Sequence, residues 1–336
     1  MSPMTASRVF ADPERVKEAT RLRVLEVAGR LGYRKDLYAS INSKKRGRLP
    51  ADRTILFNCR FEQLLEPSTF PFFSLVYFHF LRAIMKRGWR TVLTDVEADP
   101  ASFVNAGAGD ALVLCGDVDG AALGVAERQA AGTPILALCA GPVAPHTIDP
   151  DDARGGAMAA EYFHARGHRH VAVFFSPKNR NHVDRRTAFE DRLAALDPAA
   201  RIDAVPMDLT RDRVRTDALA EATLSGYFGD LGALPDSVFV VNSYSAHLVW
   251  RYLRKRGVSV PGQIGFLGYD NPPFYQETEV PLSRIWFDPG AVGQEAAARV
   301  AVLLEKPASR PNRILLPVSL IDCASVLPKT PGTQSA

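Results

Sequence analysis

Four cysteines in 336 residues are too few and too scattered for a disulfide framework. Cys59, Cys115, Cys139 and Cys323 show no CxxC or Cys/His ligand spacing, and three of them lie in apolar, strand-like runs. Buried reduced thiols in a cytosolic protein are the direct reading. Long hydrophobic runs are missing as well. The stretch from Phe70 to Met85 comes nearest to the roughly 18 apolar residues of a spanning helix, and Ser74, His79 and Arg82 interrupt it. Near the N-terminus basic residues occur without an apolar segment and cleavage site, which predicts a cytoplasmic chain. Catalytic signatures are absent too: there is no GxxxxGK(S/T), no GxGxxG after a strand, no GxSxG and no HExxH. Gly107-Ala108-Gly109 precedes a strand and reads as a turn. No catalytic residue, cofactor or metal is expected. His168 and His170 form an HxH, but Arg166 and Arg169 beside them disfavour a divalent cation. Asp149, Asp151 and Asp152 lack the alternation of a calcium loop and read as a solvated turn with a helix N-cap.

What is present is a well-mixed globular composition, 46% hydrophobic, with an uneven charge. Residues 1–53 hold 13 Lys/Arg against 6 Asp/Glu, whereas the whole chain is only +4, so the body is mildly acidic. A basic arm of this kind suits phosphate binding or simple solubilisation, and charge alone leaves both open.

Periodicity divides the chain into three zones. Ser2-Pro3 reads as an N-cap with proline at the first helical position, opening a helix to about Phe10 that breaks at Ala11-Asp12-Pro13. A second helix is predicted from about Lys17 to Leu31, its stripe Val24, Val27, Ala28 and Leu31 spaced i, i+3, i+4, i+7, with Gly32 as the stop. The stripe is too small to be stable without a partner helix. The stretch Lys35–Arg53 is a basic linker without apolar periodicity. From Thr54 onward short apolar strands alternate with amphipathic helices, which implies parallel sheets covered on both faces. About ten strands are too many for one core, so an α/β body of two lobes is expected.

The run Ser2 to Phe10, then Asp12-Pro13-Glu14-Arg15-Val16, Glu18-Ala19-Thr20-Arg21 and Val24-Leu25-Glu26 through Leu31-Gly32-Tyr33, resembles the headpiece of the lactose/galactose-repressor (LacI/GalR) family. The body resembles the same family at Phe70-Pro71-Phe72-Phe73, at Gly155-Gly156 through Gly167-His168-Arg169-His170-Val171, and at Asp184-Arg185 through Phe189. Val240-Val241-Asn242, Val260-Pro261, Gly265 through Asn271 and Pro281-Leu282-Ser283 fall in the same register. The resemblance implies a helix-turn-helix headpiece, a hinge, and a two-lobed core like periplasmic sugar-binding proteins. The domains expected from it are 1–33 (headpiece) and 34–53 (hinge and basic linker). One lobe is then built from 54–148 with 286–310, the other from 149–285 with 311–326, and 327–336 forms a tail. In the family a further helix precedes Ser2, and Met1 stands where a valine is typical. This implies a headpiece lacking its first helix and an open reading frame that starts upstream.

Carried onto this chain, Pro3 to Phe10 is the recognition helix of the major groove. Pro3, Met4 and Arg8 fall at base-reading positions, and Ser2, Thr5 and Ser7 at phosphate-contacting ones. Arg8 suits guanine O6 and N7; Pro3 and Met4 are apolar and serve equally as a helix start and packing. At the hinge Ala39 matches the family, but Asn42 stands where a leucine wedge enters the minor groove, with Ile41 before it. For the effector, the resemblance points to Arg185, Asn242 and Asp270, each following a strand end, where open α/β sheets bind ligands. Phe72 and Phe73 would form the apolar wall, with Leu209 where relatives stack an aromatic. Cys139 replaces an aspartate frequent in sugar-binding members. The implied protein is a homodimeric regulator, not an enzyme, on pseudo-palindromic operator DNA. Its effector would be a carbohydrate, a sugar acid or a related metabolite. A headless sensor and a periplasmic-type sugar-binding protein are the alternatives.

Overall fold

The structure is a computed structural model. It describes residues 53–60, 64, 72–95, 109–116, 132–141, 143–210, 212–229, 234–306 and 310–329, together with Val9, Lys17, Glu18 and 20–23. The chain divides into two units, Met1–Asp52 and Arg53–Ala336. In the first unit the described residues Val9, Glu18 and 20–23 are helical, and Val9 is buried. Of the expected DNA-contacting residues, Ser2, Pro3, Met4, Thr5, Ser7, Arg8, Ala39, Ile41 and Asn42 all lie outside the described residues.

The second unit alternates strand and helix. It begins with β1 (Thr54–Asn58), α1 (Phe72–Lys86), β2 (Arg90–Thr94), β3 (Ala111–Cys115), β4 (Ile135–Leu138) and β5 (His146–Pro150). There follow α2 (Asp152–Ala165), β6 (His170–Phe175), α3 (Arg180–Leu196), β7 (Arg201–Pro206), α4 (Arg213–Gly229), β8 (Ser237–Val240), α5 (Ser243–Lys255) and β9 (Gly265–Tyr269). It closes with α6 (Phe274–Glu277), β10 (Ser283–Trp286), α7 (Pro289–Glu305), β11 (Asn312–Leu316) and β12 (Ser319–Ile321). The strands form two six-stranded sheets, ordered β11-β5-β4-β3-β1-β2 and β12-β10-β9-β8-β6-β7. Every described pairing is parallel except β12 on β10. The expected architecture of two parallel sheets flanked by helices is what the body adopts.

Sheet membership departs from the expected segments in three places. The run 313–321 divides at Pro317-Val318: β11 pairs with β5, and β12 turns back on β10 in the other sheet. Residues 312–316 therefore belong with the first lobe's sheet. β5, not foreseen because HTIDP has little apolar character, carries that sheet to Pro150, and β10 carries the second sheet to Trp286.

Two helix pairs set the packing. On α1 the buried Val76, Phe80 and Ile84 are spaced i, i+4, i+8 and enter the main core, Phe80 against Phe57 of β1, while the helix packs along α7. The backbones come so near that a Cβ on Gly293 would lie 2.4 Å from the Val76 carbonyl oxygen. On α2, Gly155, Gly156, Ala159 and Ala160 are buried, and at Gly156 the helix meets the backbone of α3. Along β6 the alternation is clean: Val171, Val173 and Phe175 enter the main core, while Ala172 and Phe174 enter a second cluster beneath α4 and α5.

Candidate functional site

The carboxyl ends of the strands carry the polar residues. Among the described residues, two of the three non-glycine residues with positive φ stand there: Cys139 (φ 54) after β4 and Asp270 (φ 67) after β9. Such backbone costs on the order of 1–3 kcal/mol and concentrates at ligand sites, with aspartate among the side chains that bear it best. The two lobes touch at this level, where the Asn181 amide donates to the Cys139 carbonyl at 3.2 Å.

Arg185, on the first turns of α3, is the centre of the site and is only 5% exposed. Its Nε donates to Asp152 Oδ1 and its Nη1 to the Val241 carbonyl, each at 2.7 Å. Its guanidinium lies 3.6 Å from the centroid of the Tyr269 ring. Tyr269 in turn approaches Asp152 Oδ1 through its hydroxyl at 3.4 Å. A chain of rings continues to the other lobe: Tyr269 to Phe287 at 6.5 Å, Phe287 to Phe72 at 5.3 Å, Phe72 to Phe73 at 5.1 Å. Asn242 caps α5 by accepting from the Ser245 N–H at 2.6 Å, and its amide nitrogen sits about 3.1 Å from the His182 ring. Asp270 accepts the Ser243 N–H at 3.1 Å; it is half-buried as a residue, with its carboxyl group enclosed.

The electrostatics are those of charge held out of water. Burial raises the Asp152 carboxyl from its ordinary 3.8 to about 6, in spite of the opposing Arg185 charge. For Arg185 itself burial pulls downward, and Asp152, Tyr269 and Asp270 outweigh it, so the guanidinium stays protonated. Burial likewise raises Asp270, against the pull of Arg185 and Ser243. His182 is held neutral, pushed well below its ordinary value first by burial and then by Arg185. Burial pushes the Cys139 thiol well up, with help from Asp149 and Asp152.

The structure thus brings together Arg185, Asn242, Asp270, Cys139 and Phe72 from the residues expected at the effector site. Phe73 packs beside Phe72 against the main core. Leu209 packs against the second cluster instead, among the residues around Met207. The carboxylate triplet needs correcting. Asp151 does cap α2, accepting from the Arg154 N–H at 2.9 Å, but Asp149 and Asp152 are buried rather than solvated. Asp149 accepts from the Gly141 N–H at 3.0 Å and from Arg313 at 3.3 Å. Asp152, Tyr269, Asn181 and His182 are not among the effector-site residues expected from the sequence. The signal for Asp152 was Gly155-Gly156 one turn later, which marks a close helix contact. His168 and His170 look to separate neighbours, the Leu327 carbonyl and Asp203. Among the described residues no group of three His, Cys, Asp or Glu side chains is placed to hold a metal ion. Nor is any described helix long and apolar enough to cross a membrane.

Comparison with known proteins gives two family matches. Residues 1–36 match the family described as bacterial regulatory proteins, lacI family, and residues 160–326 match the periplasmic binding protein-like domain. The sucrose operon repressor of Escherichia coli is 25% identical over 350 residues, covering 97% of this chain and 96% of that protein. Among solved structures, the lac repressor dimer bound to operator and the anti-inducer ONPF superposes with a TM-score of 0.70 at 20% identity, covering 97% and 96% of the two chains. A LacI family transcriptional regulator from Enterococcus faecium with bound ribose superposes with a TM-score of 0.66 at 19% identity, covering 83% and 100%.

Proposed function

The chain belongs to the LacI family of bacterial regulatory proteins, and from that premise we propose a DNA-binding transcriptional repressor controlled by a small effector. The effector is a sugar or sugar-derived metabolite held between the two lobes. The observation that carries this reading is the convergence of Arg185, Asn242 and Asp270 at the carboxyl ends of the strands, across from Cys139 and Phe72 of the other lobe. Asp and Asn accept from and donate to hydroxyls, and the aromatic chain supplies an apolar wall.

The basic segment 1–53 is the electrostatic footprint for DNA. Ser2, Thr5 and Ser7 are assigned to phosphates, and Pro3, Met4 and Arg8 to bases. Ala39, Ile41 and Asn42 are assigned to the hinge. A homodimer presents two such heads to a pseudo-palindromic operator. Effector binding shifts the balance between lobe arrangements and so the order of the hinge. A repressor of this kind performs no catalysis and acts where the chromosome is, in the cytoplasm.

The test is a thermal-shift screen of the full chain against sugars and sugar derivatives. A ligand at about 100 times its Kd adds roughly 2.7 kcal/mol of stability, so a binder raises the Tm by several degrees. Arg185→Ala should abolish that rise. An equal rise in the variant tells against this cleft as the effector site.

A further inference from the structure

This inference rests on the effector reading above and narrows it to a charge class. Arg185 is the cation buried at the heart of the site, and alone it would invite an acidic ligand. Two of its three nitrogens are already committed. Nε points at Asp152, Nη1 at the Val241 carbonyl, and the flat face covers Tyr269. A side-on grip on an incoming carboxylate uses Nε with Nη2 and an end-on grip uses Nη1 with Nη2, so either one must share a nitrogen that already serves a protein acceptor.

The surrounding charge points the same way. Asp149 and Asp152 are buried, Asp270 has its carboxyl enclosed, and His182 carries no charge to balance them. Asp149 is shared with Arg313, whereas Asp270 makes no ion pair among the described residues. The cations Arg180 and Lys178, near the start of α3, are paired with Asp184 and Asp208.

We propose that Asp152 sets the charge class of the effector: by holding Arg185 it makes the cleft take an uncharged or amine-bearing polyol and exclude the carboxylate- or phosphate-bearing form of the same skeleton. Hydroxyl and ammonium groups bring the donors that Asp270 and the outer edge of Asp152 accept. An acid brings another negative charge into a poorly hydrated site whose guanidinium is already neutralised. Asp152 acts through Arg185 and is a positioning residue.

The experiment compares matched sets on the full chain at pH 7.5 by thermal shift and calorimetry. The probes are neutral mono- and disaccharides, the amino sugars glucosamine and galactosamine, the uronates and aldonates of the same hexoses, and hexose phosphates. Binders should be neutral or amine-bearing, with each acid weaker than its neutral partner by more than roughly tenfold. Asp152→Asn should narrow that ratio at least roughly threefold whatever it does to absolute affinity, a change that mere structural damage does not produce. Asp152→Ser serves if the Asn variant fails to fold, and the wild-type ratio decides if neither folds. An acid that binds as tightly as its neutral partner overturns the inference while leaving the effector cleft standing. Silence from every class overturns the effector cleft and this inference with it.

Discussion

Gly156 on α2 faces the backbone of Arg185 on α3 so closely that a Cβ there would lie 2.1 Å from the Arg185 carbonyl oxygen. The neighbouring Gly155 has the same relation to Tyr269, whose hydroxyl would be 2.5 Å from a Cβ. Gly156 lets the helix carrying Asp152 approach the helix carrying Arg185, and Gly155 leaves room for the Tyr269 ring beside them. The ion pair between them is thus a consequence of backbone packing. Because the obstacle at Gly156 is backbone and cannot swing aside, Gly156→Ala should destabilise the fold by about 1–3 kcal/mol and weaken effector binding. Gly226, within α4, has nothing within 4 Å of a Cβ, so Gly226→Ala should stabilise by about 0.5–1 kcal/mol. Chemical denaturation of both variants checks the pair; equal effects would contradict the packing account.

Acid should reveal Asp152. Its carboxyl protonates at about 6 in the folded chain against an ordinary 3.8. Folding raises this pKa, so its contribution to stability is complete below about pH 4 and is lost as the pH rises through 6. Asp110, Asp203, Asp217, Asp236 and Asp322 are shifted the other way and lose stability as the pH falls. The comparison must therefore be a difference between wild type and Asp152→Asn. Between pH 7 and 4 that difference should move in favour of the wild type by on the order of 3 kcal/mol. A flat difference would mean that Asp152 titrates normally.

Thiol reactivity should be one against three. Cys59, Cys115 and Cys139 are buried, while Cys323 is partly exposed. Cys115 is further protected, since a hydrogen bond with Cys59 and then burial push its thiol well up. An aromatic disulfide reagent should titrate one thiol rapidly in the native chain and four after denaturation. Two or more fast thiols would show that the carboxyl edge of the first sheet is open.

The fold was legible because apolar strands and amphipathic helices announce themselves by period. β3, with ALVLC buried throughout, and α1, with its i, i+4 stripe, needed no tertiary information. β5 was not legible: HTIDP is buried by its neighbours β4 and β11, not by its own composition. The split of 312–321 was hidden for a related reason, because only strand pairing shows that the chain changes sheets at Pro317. At the site, Arg185, Asn242 and Asp270 could be found from their register after strand ends. Asp152 could not be assigned, since Gly155-Gly156 signals only a close packing contact and a carboxylate beside Asp151 looks like a helix cap until the guanidinium it meets, 33 positions away in sequence, is placed. Leu209 was read by position alone, and its packing is with its own lobe's core.

The central claim is that occupancy of the cleft is felt by the DNA-binding head. The direct measurement is selection of the full chain on a random duplex library, followed by fluorescence anisotropy on the winning sequence with and without a ligand found by thermal shift. The account predicts enrichment of an inverted repeat and a change in its affinity of at least roughly fivefold on adding the ligand, lost in Arg185→Ala. Failure to enrich any duplex over random sequence, or an affinity indifferent to a ligand that binds the cleft, would contradict it.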